Sequence, residues 1–167
     1  MKIRFSLGWV KFSQASRKYF KSSEVYALVN AYVERIAHFI PCEIGAYSPP
    51  PKDACLPDRQ GSVRRLVADK DKSCLWVCER EKGSRSLSSE ALARELQKVM
   101  NSGIQELQIV VGGPDGYPSQ ELDRMAPALR WSFGPLTFPH ELAAVVASEQ
   151  IYRALTILHH QPYHSGH

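Results

Sequence analysis

Residues 107–111, Leu-Gln-Ile-Val-Val, form an aliphatic, largely β-branched run without a charge, and Gly112-Gly113-Pro114-Asp115-Gly116 follows at once. The run reads as a buried strand. Glycines at its end let backbone approach backbone, or a ligand, without a Cβ in the way. A strand ending so is a place to hold a small molecule, although Gly113-Pro114-Asp115-Gly116 is equally ordinary turn chemistry. Both readings stand until the rest of the chain is considered.

The remainder alternates strand and helix. Ile3, Phe5 and Leu7 alternate with Lys2, Arg4 and Ser6, a first strand and not the apolar core of a signal peptide. After a basic stretch with Arg17, Lys18 and Lys21, residues 24–40 carry Val25, Leu28, Val29, Tyr32, Val33 and Ile36 at spacings of three and four, the stripe of a helix that Pro41 ends. Residues 42–47 form the next strand. Three prolines at 49–51 make residues 48–60 an exposed loop of polyproline character. Residues 62–70 suit a short basic helix and residues 74–78 a third strand, leaving the polar residues 79–85, with Gly83, as a loop.

Ser88 caps a second long helix with Leu92, Leu96, Val99 and Met100 on one face, and Gly103 closes it. Beyond the central strand come a short helix at residues 119–126, a fifth strand at 129–133 and a long helix at 141–160. That last helix is apolar around most of its circumference and needs cover on two sides, from its own sheet and a loop or from a second subunit. The alternation implies an α/β fold, a mostly parallel sheet with helices on both faces, whose ligands bind beyond the carboxyl ends of the strands. Residues 79–85 and 112–116 both leave strands at that edge.

A length of 167 residues suits one domain over 1–167. With 44% hydrophobic and 23% charged residues and no apolar run near 20 residues, the chain is expected to be a cytosolic protein without a membrane segment. In that compartment Cys42, Cys55, Cys74 and Cys78 are expected to stay reduced, and their spacings lack paired C-x-x-C knuckles, so no metal is expected. A net charge of +4 permits a polyanionic partner such as RNA without requiring one.

No P-loop, zincin or nucleophile-elbow motif is present, and the glycine turn is not G-x-G-x-x-G. The C-terminal third instead carries an ordered series: Gly112-Gly113-Pro114-Asp115-Gly116, Trp131-Ser132, Leu136-Thr137-Phe138-Pro139-His140, Glu149-Gln-Ile-Tyr-Arg153-Ala154 and Pro162-Tyr163-His164. This series resembles the RlmH (YbeA-like) family of SPOUT-class ribosomal RNA methyltransferases, densely over residues 107–164 and collinearly before them. The resemblance implies a C-terminal trefoil knot over about residues 107–164, an exception to the usual avoidance of threaded chains. It implies a homodimer that takes S-adenosyl-L-methionine and methylates N3 of a pseudouridine in the large-subunit rRNA of the assembled ribosome.

Carried over by residue, the three cofactor loops are Val77, Cys78 and Glu79; Gly112 and Gly113; and Gly134, Pro135, Leu136, Thr137, Phe138 and Pro139. Arg153, Tyr163, His164 and His140 become the catalytic candidates, with His164 a proton acceptor. Read from the residues alone, Arg153 four positions after Glu149 is also a surface salt bridge, His140 a helix cap, and Tyr163 and His164 a terminal tail. The chain departs from the family where Ala46-Tyr-Ser-Pro-Pro-Pro51 replaces a basic stretch, where Cys78-Glu79 replaces an aspartate, and where Phe138 replaces leucine. Methylation of another RNA such as tRNA, or RNA and ribosome binding without catalysis, are the competing expectations.

Overall fold

The computed structural model describes residues 1–8, 24–46, 72–80, 83–112, 117, 122, 123 and 125–164. The expected loop at 48–60, the basic helix at 62–70, the Arg17–Lys21 stretch and the turn at 113–116 lie outside them.

Among the described residues, six strands form one sheet: β1 (Lys2–Leu7), β2 (Cys42–Ala46), β3 (Ser73–Cys78), β4 (Arg85–Ser86), β5 (Glu106–Val111) and β6 (Leu129–Ser132). Their spatial order is β2-β1-β5-β3-β6-β4, and every pairing is parallel. The apolar run of β5 is explained by its place, since β1 and β3 flank it and five of its six residues are buried. Parallel strands with both faces covered need no polar side.

Residues 85–86 correct the expectation of a plain loop over 79–85. Gly83, at φ +99°, turns the chain so that Arg85 and Ser86 pair with Trp131 and Ser132 and add an edge strand. A strand of two exposed residues has no periodicity to recognise.

Among the described residues, three helices pack on one face: α1 (Glu24–Ala37), α2 (Ser89–Asn101) and α3 (His140–Leu158). Their core partners from the sheet are the alternate residues Ile3, Phe5 and Leu7 of β1, Leu107, Ile109 and Val111 of β5, and Trp76 of β3. The buried stripe of α1 is Tyr26, Val29, Val33 and Ile36, whereas Leu28, assigned above to the apolar face, is 52% exposed. The Ser88 hydroxyl accepts from the Ala91 amide at 3.2 Å, the expected N-cap, and Gly103 at φ +79° ends α2.

α3 lies between α1 and α2. Its buried face is Ala144, Ala147, Ser148, Ile151, Ala154, Leu155 and Thr156, mostly small residues that allow close approach. The Ser148 and Thr156 hydroxyls donate back to the carbonyls of Val145 and Arg153 and so stay satisfied. The opposite face of the sheet holds a second cluster, where Leu75, Val77 and Val110 meet Tyr117, Leu122 and Met125. Nearby, buried Gln108 donates to Ser6 Oγ at 2.9 Å.

Candidate active site

Leu7, Cys78 and Val111 are in register, with Trp131 beside Cys78, so β1, β3, β5 and β6 reach the same carboxyl edge. Beyond it opens a cavity of about 600 Å³, within the range of small-molecule sites. It stands where sheets of this kind hold ligands. Three walls correspond to three strand ends: Cys78, Glu79 and Arg80; Val111 and Gly112; and the segment from Ser132 through Phe138 to His140.

Each wall has a local cause. Gly112 is required by Tyr117, because a Cβ there would stand 2.9 Å from the ring Cε2. The third wall turns at Gly134, φ +101°, where the Ser132 hydroxyl accepts from the Gly134 amide at 3.2 Å. An edge-to-face series links it to the core: Trp76 against Trp131, Trp131 against Phe133 at 4.9 Å, and Phe133 against Phe138. Phe133 and Phe138 thereby present fixed aromatic surface to the cavity. Arg80 bridges the first and third walls, donating to the Pro135 carbonyl at 3.3 Å and to Thr137 Oγ1.

Of the cofactor candidates, Cys78, Glu79, Gly112, Gly134, Leu136, Thr137, Phe138 and Pro139 line the cavity. Val77 points instead into the second core cluster, and Pro135 contributes its carbonyl to Arg80. Gly113 lies outside the described residues. Burial pushes the Cys78 thiol up, so it lines the site as a neutral apolar group. Arg80, Val111, Tyr117, Ser132, Phe133 and Ala143 also line it. Apart from Ser132, which belongs to the Trp131-Ser132 motif, none carries a motif signal, and that motif stops one residue short of Phe133.

His140 is on the rim as the first residue of α3. The cap position belongs to Pro139, which has no side-chain cap bond, so His140 is not the helix cap. Arg153 lies thirteen residues further along α3, about 20 Å at 1.5 Å per residue. There its guanidinium donates to Glu149 Oε1 from Nη2 at 2.8 Å and Nε at 3.0 Å and sits 5.0 Å from the Tyr163 ring centroid. The Tyr163 hydroxyl donates to the same Glu149 oxygen at 3.1 Å.

Burial alone would lower the pKa of Arg153, but the Glu149 hydrogen bond and charge outweigh it and raise the pKa. Burial, a hydrogen bond with Tyr32 and the Glu149 charge push the Tyr163 phenol up, so it keeps its proton. Tyr163 and the His164 backbone belong to a 3-10 turn, Pro162–His164, docked on α3. The His164 side chain lies outside the described residues. One chain thus holds the chemistry-bearing residues in two groups, His140 with the cavity and Arg153 with Tyr163 at the far end of α3. Among the described residues, no three His, Cys, Asp or Glu side chains cluster as metal ligands, and no helix is long and apolar enough to cross a membrane.

Comparison with known proteins agrees with this architecture. A family model described as predicted SPOUT methyltransferase matches residues 16–164. The chain is 35% identical over 136 residues to the ribosomal RNA large subunit methyltransferase H of Stenotrophomonas maltophilia (strain K279a), covering 80% of this chain and 85% of the relative. It is 32% identical over 143 residues to the protein of that name from Christiangramia forsetii, 84% and 90% of the two chains. With the one from Magnetococcus marinus it shares 36% identity over 120 residues, 72% and 71% of the two chains. Parallel sheet, cavity at its carboxyl edge and matches over most of its length together make this chain a member of the SPOUT methyltransferase family, among relatives of the ribosomal RNA large subunit methyltransferase H type.

Proposed function

We propose that the chain, as one domain over residues 1–167 with its C-terminal part knotted, uses S-adenosyl-L-methionine to methylate N3 of a pseudouridine in large-subunit (23S) ribosomal RNA on assembled ribosomes in the cytoplasm. The observation that carries this reading is the cavity bounded by Glu79, Gly112 and the segment 132–140 in a chain of this family. Its lining fits a sulfonium nucleoside. Phe133, Leu136 and Phe138 offer apolar surface to a purine, and the Glu79 carboxylate offers an acceptor for hydroxyl and amino groups. Gly112 keeps the second wall low enough to approach.

When bound, the donor supplies a methyl group already activated by positive sulfur, so the protein's work is alignment and the handling of one proton. Methyl transfer to N3 would displace the N3–H proton, which a base of this chain would take. Tyr163 keeps its own proton and serves as a hydrogen-bond donor. His164 is the proton acceptor that the family resemblance implies, with His140 at the cavity rim and Arg153 positioned by Glu149 to hold substrate anions.

A homodimer accounts for the division of these groups. The distance of about 20 Å along α3 between His140 and Arg153 is too long for one target base, and a second copy can bring its Arg153 end to the first copy's cavity.

Two measurements test the reading. Calorimetry with S-adenosyl-L-methionine should show one site per chain, and no binding at millimolar concentration would remove the donor assignment. Intact ribosomes, free subunits and tRNA incubated with labelled donor should show label in ribosomal RNA. Label in tRNA alone would overturn the substrate.

A further inference from the structure

Glu79 is the acidic member of the cavity wall, with a side chain only 5% exposed. Burying a carboxylate is costly unless a cation is placed against it. The cation here comes from β6: Arg130 Nε lies 3.5 Å from Glu79 Oε1. The register explains the meeting. Arg130 pairs with Val77 across β3 and β6, and Glu79, two residues beyond Val77, falls on the same side of the sheet. The Glu79 amide donates to the Trp131 carbonyl at 2.9 Å, so the backbone carrying the carboxylate is tied to the strand that carries the guanidinium. A third charge holds the other end of the fork, because Arg130 Nη2 donates to Asp123 Oδ1 at 2.7 Å.

We propose that Arg130 is a positioning residue for the methyl-donor site: held by Asp123 and the β3–β6 register, it fixes the Glu79 carboxylate in the cavity wall as the acceptor for the donor's hydroxyl and amino groups. This rests on the donor occupying the cavity, as proposed above. Arg130 itself is absent from the cavity lining and acts only through Glu79. A methionine of similar length would take that cation away from Glu79 and loosen the hold on its carboxylate in the cavity wall.

The test measures the dissociation constant for S-adenosyl-L-methionine by calorimetry on the full chain, with melting temperature recorded for each variant. Glu79→Gln and Arg130→Met should each weaken binding about tenfold or more, the scale of a lost charge-assisted hydrogen bond. Arg130→Lys, which keeps a cation at the site, should recover most of the loss. In the Glu79→Gln background, Arg130→Met should add nothing further to the dissociation constant, because its effect passes through that carboxylate. A general structural role would lower affinity in both backgrounds. Unchanged affinity in Arg130→Met, or losses that add in the double variant, overturn the proposal. If Arg130→Met does not fold, the pair Arg130→Lys and Glu79→Gln decides, an unaltered constant in Glu79→Gln refuting the assignment. Failure of the wild-type chain to bind the donor would overturn the underlying site reading, and this proposal with it, before any variant is compared.

Discussion

Replacing Gly112 by alanine is a sharp perturbation of the central strand's end. The new Cβ would stand 2.9 Å from Cε2 and 3.1 Å from Cζ of Tyr117, against about 3.5–4.0 Å for carbon atoms in ordinary contact. The ring cannot swing into solvent, because Tyr117 is 8% exposed and packs in the cluster with Leu75, Val77, Val110, Leu122 and Met125. It must retreat by roughly half an ångström or more into packed side chains, and such overpacking costs about 1–3 kcal/mol. In a chain of 167 residues that corresponds to a melting temperature lower by roughly 2–12 °C.

The backbone at Gly112 is outside the left-handed region, so the whole penalty is steric and a smaller side chain at 117 should relieve it. Tyr117→Leu alone leaves a void. Combined with Gly112→Ala, its loss should fall short of the sum of the single losses by about 1 kcal/mol. Urea denaturation and thermal melting of the four proteins measure this cycle, and donor calorimetry reads its effect on the cavity that both residues line. A Gly112→Ala protein melting within about 1 °C of wild type, or strict additivity, would refute the close-approach explanation.

Three further outcomes are expected. Arg153→Ala should lower methylation at least tenfold while changing stability by no more than about 1–3 kcal/mol, since it removes hydrogen bonds to Glu149 but no core contact. A full rate in that variant would strike Arg153 from the catalytic group. Ser6→Ala takes away the acceptor of the buried Gln108 amide and should destabilise the chain by about 1–3 kcal/mol in urea titrations, against no change if the amide finds another partner. Burial pushes the Cys42 thiol up to about 12 from an ordinary 9.0, so the unfolded chain loses this proton first. The stability tied to it is complete below pH 9 and drains away as pH rises toward 12. Cys42→Ala should accordingly flatten the fall in melting temperature between pH 9 and 11, and identical slopes in both proteins would disprove the shift.

Much of this architecture is legible in the amino-acid sequence because its causes are local. The Ser88 cap, the Gly103 stop and the apolar spacing of α2 sit within a few residues of one another, and the alternation of β1 is visible residue by residue. The uncharged run of β5 announces burial by composition alone. Leu28 shows where local spacing falls short, since two overlapping stripes were available on α1 and packing against α3 selected the one containing Tyr26. The strand at Arg85–Ser86 was equally hidden, because only its neighbour β6 makes it a strand.

The site divides along the same line. The resemblance carried by the chain's ordered motifs implies the segments at Cys78–Glu79, Gly112 and 134–140, and glycine, proline and histidine mark the last two. Which side chains those segments turn inward is a matter of register between strands far apart in the chain. Val77 and Glu79 are two residues apart and lie on one side of the sheet, yet Val77 enters the second core and Glu79, beyond the last residue of β3, lines the cavity. Arg80 reaches Thr137 and Arg130 reaches Glu79 across gaps of 57 and 51 residues that no local pattern spans. Sequence by itself determined most of the elements and their order through short-range periodicity and turn chemistry, and pointed to the family through the resemblance its ordered motifs carry. The tertiary structure alone decided which strands are neighbours, why Gly112 must lack a Cβ, and that His140 and Arg153 stand at opposite ends of one helix, because those are consequences of contacts the chain makes only once it is packed.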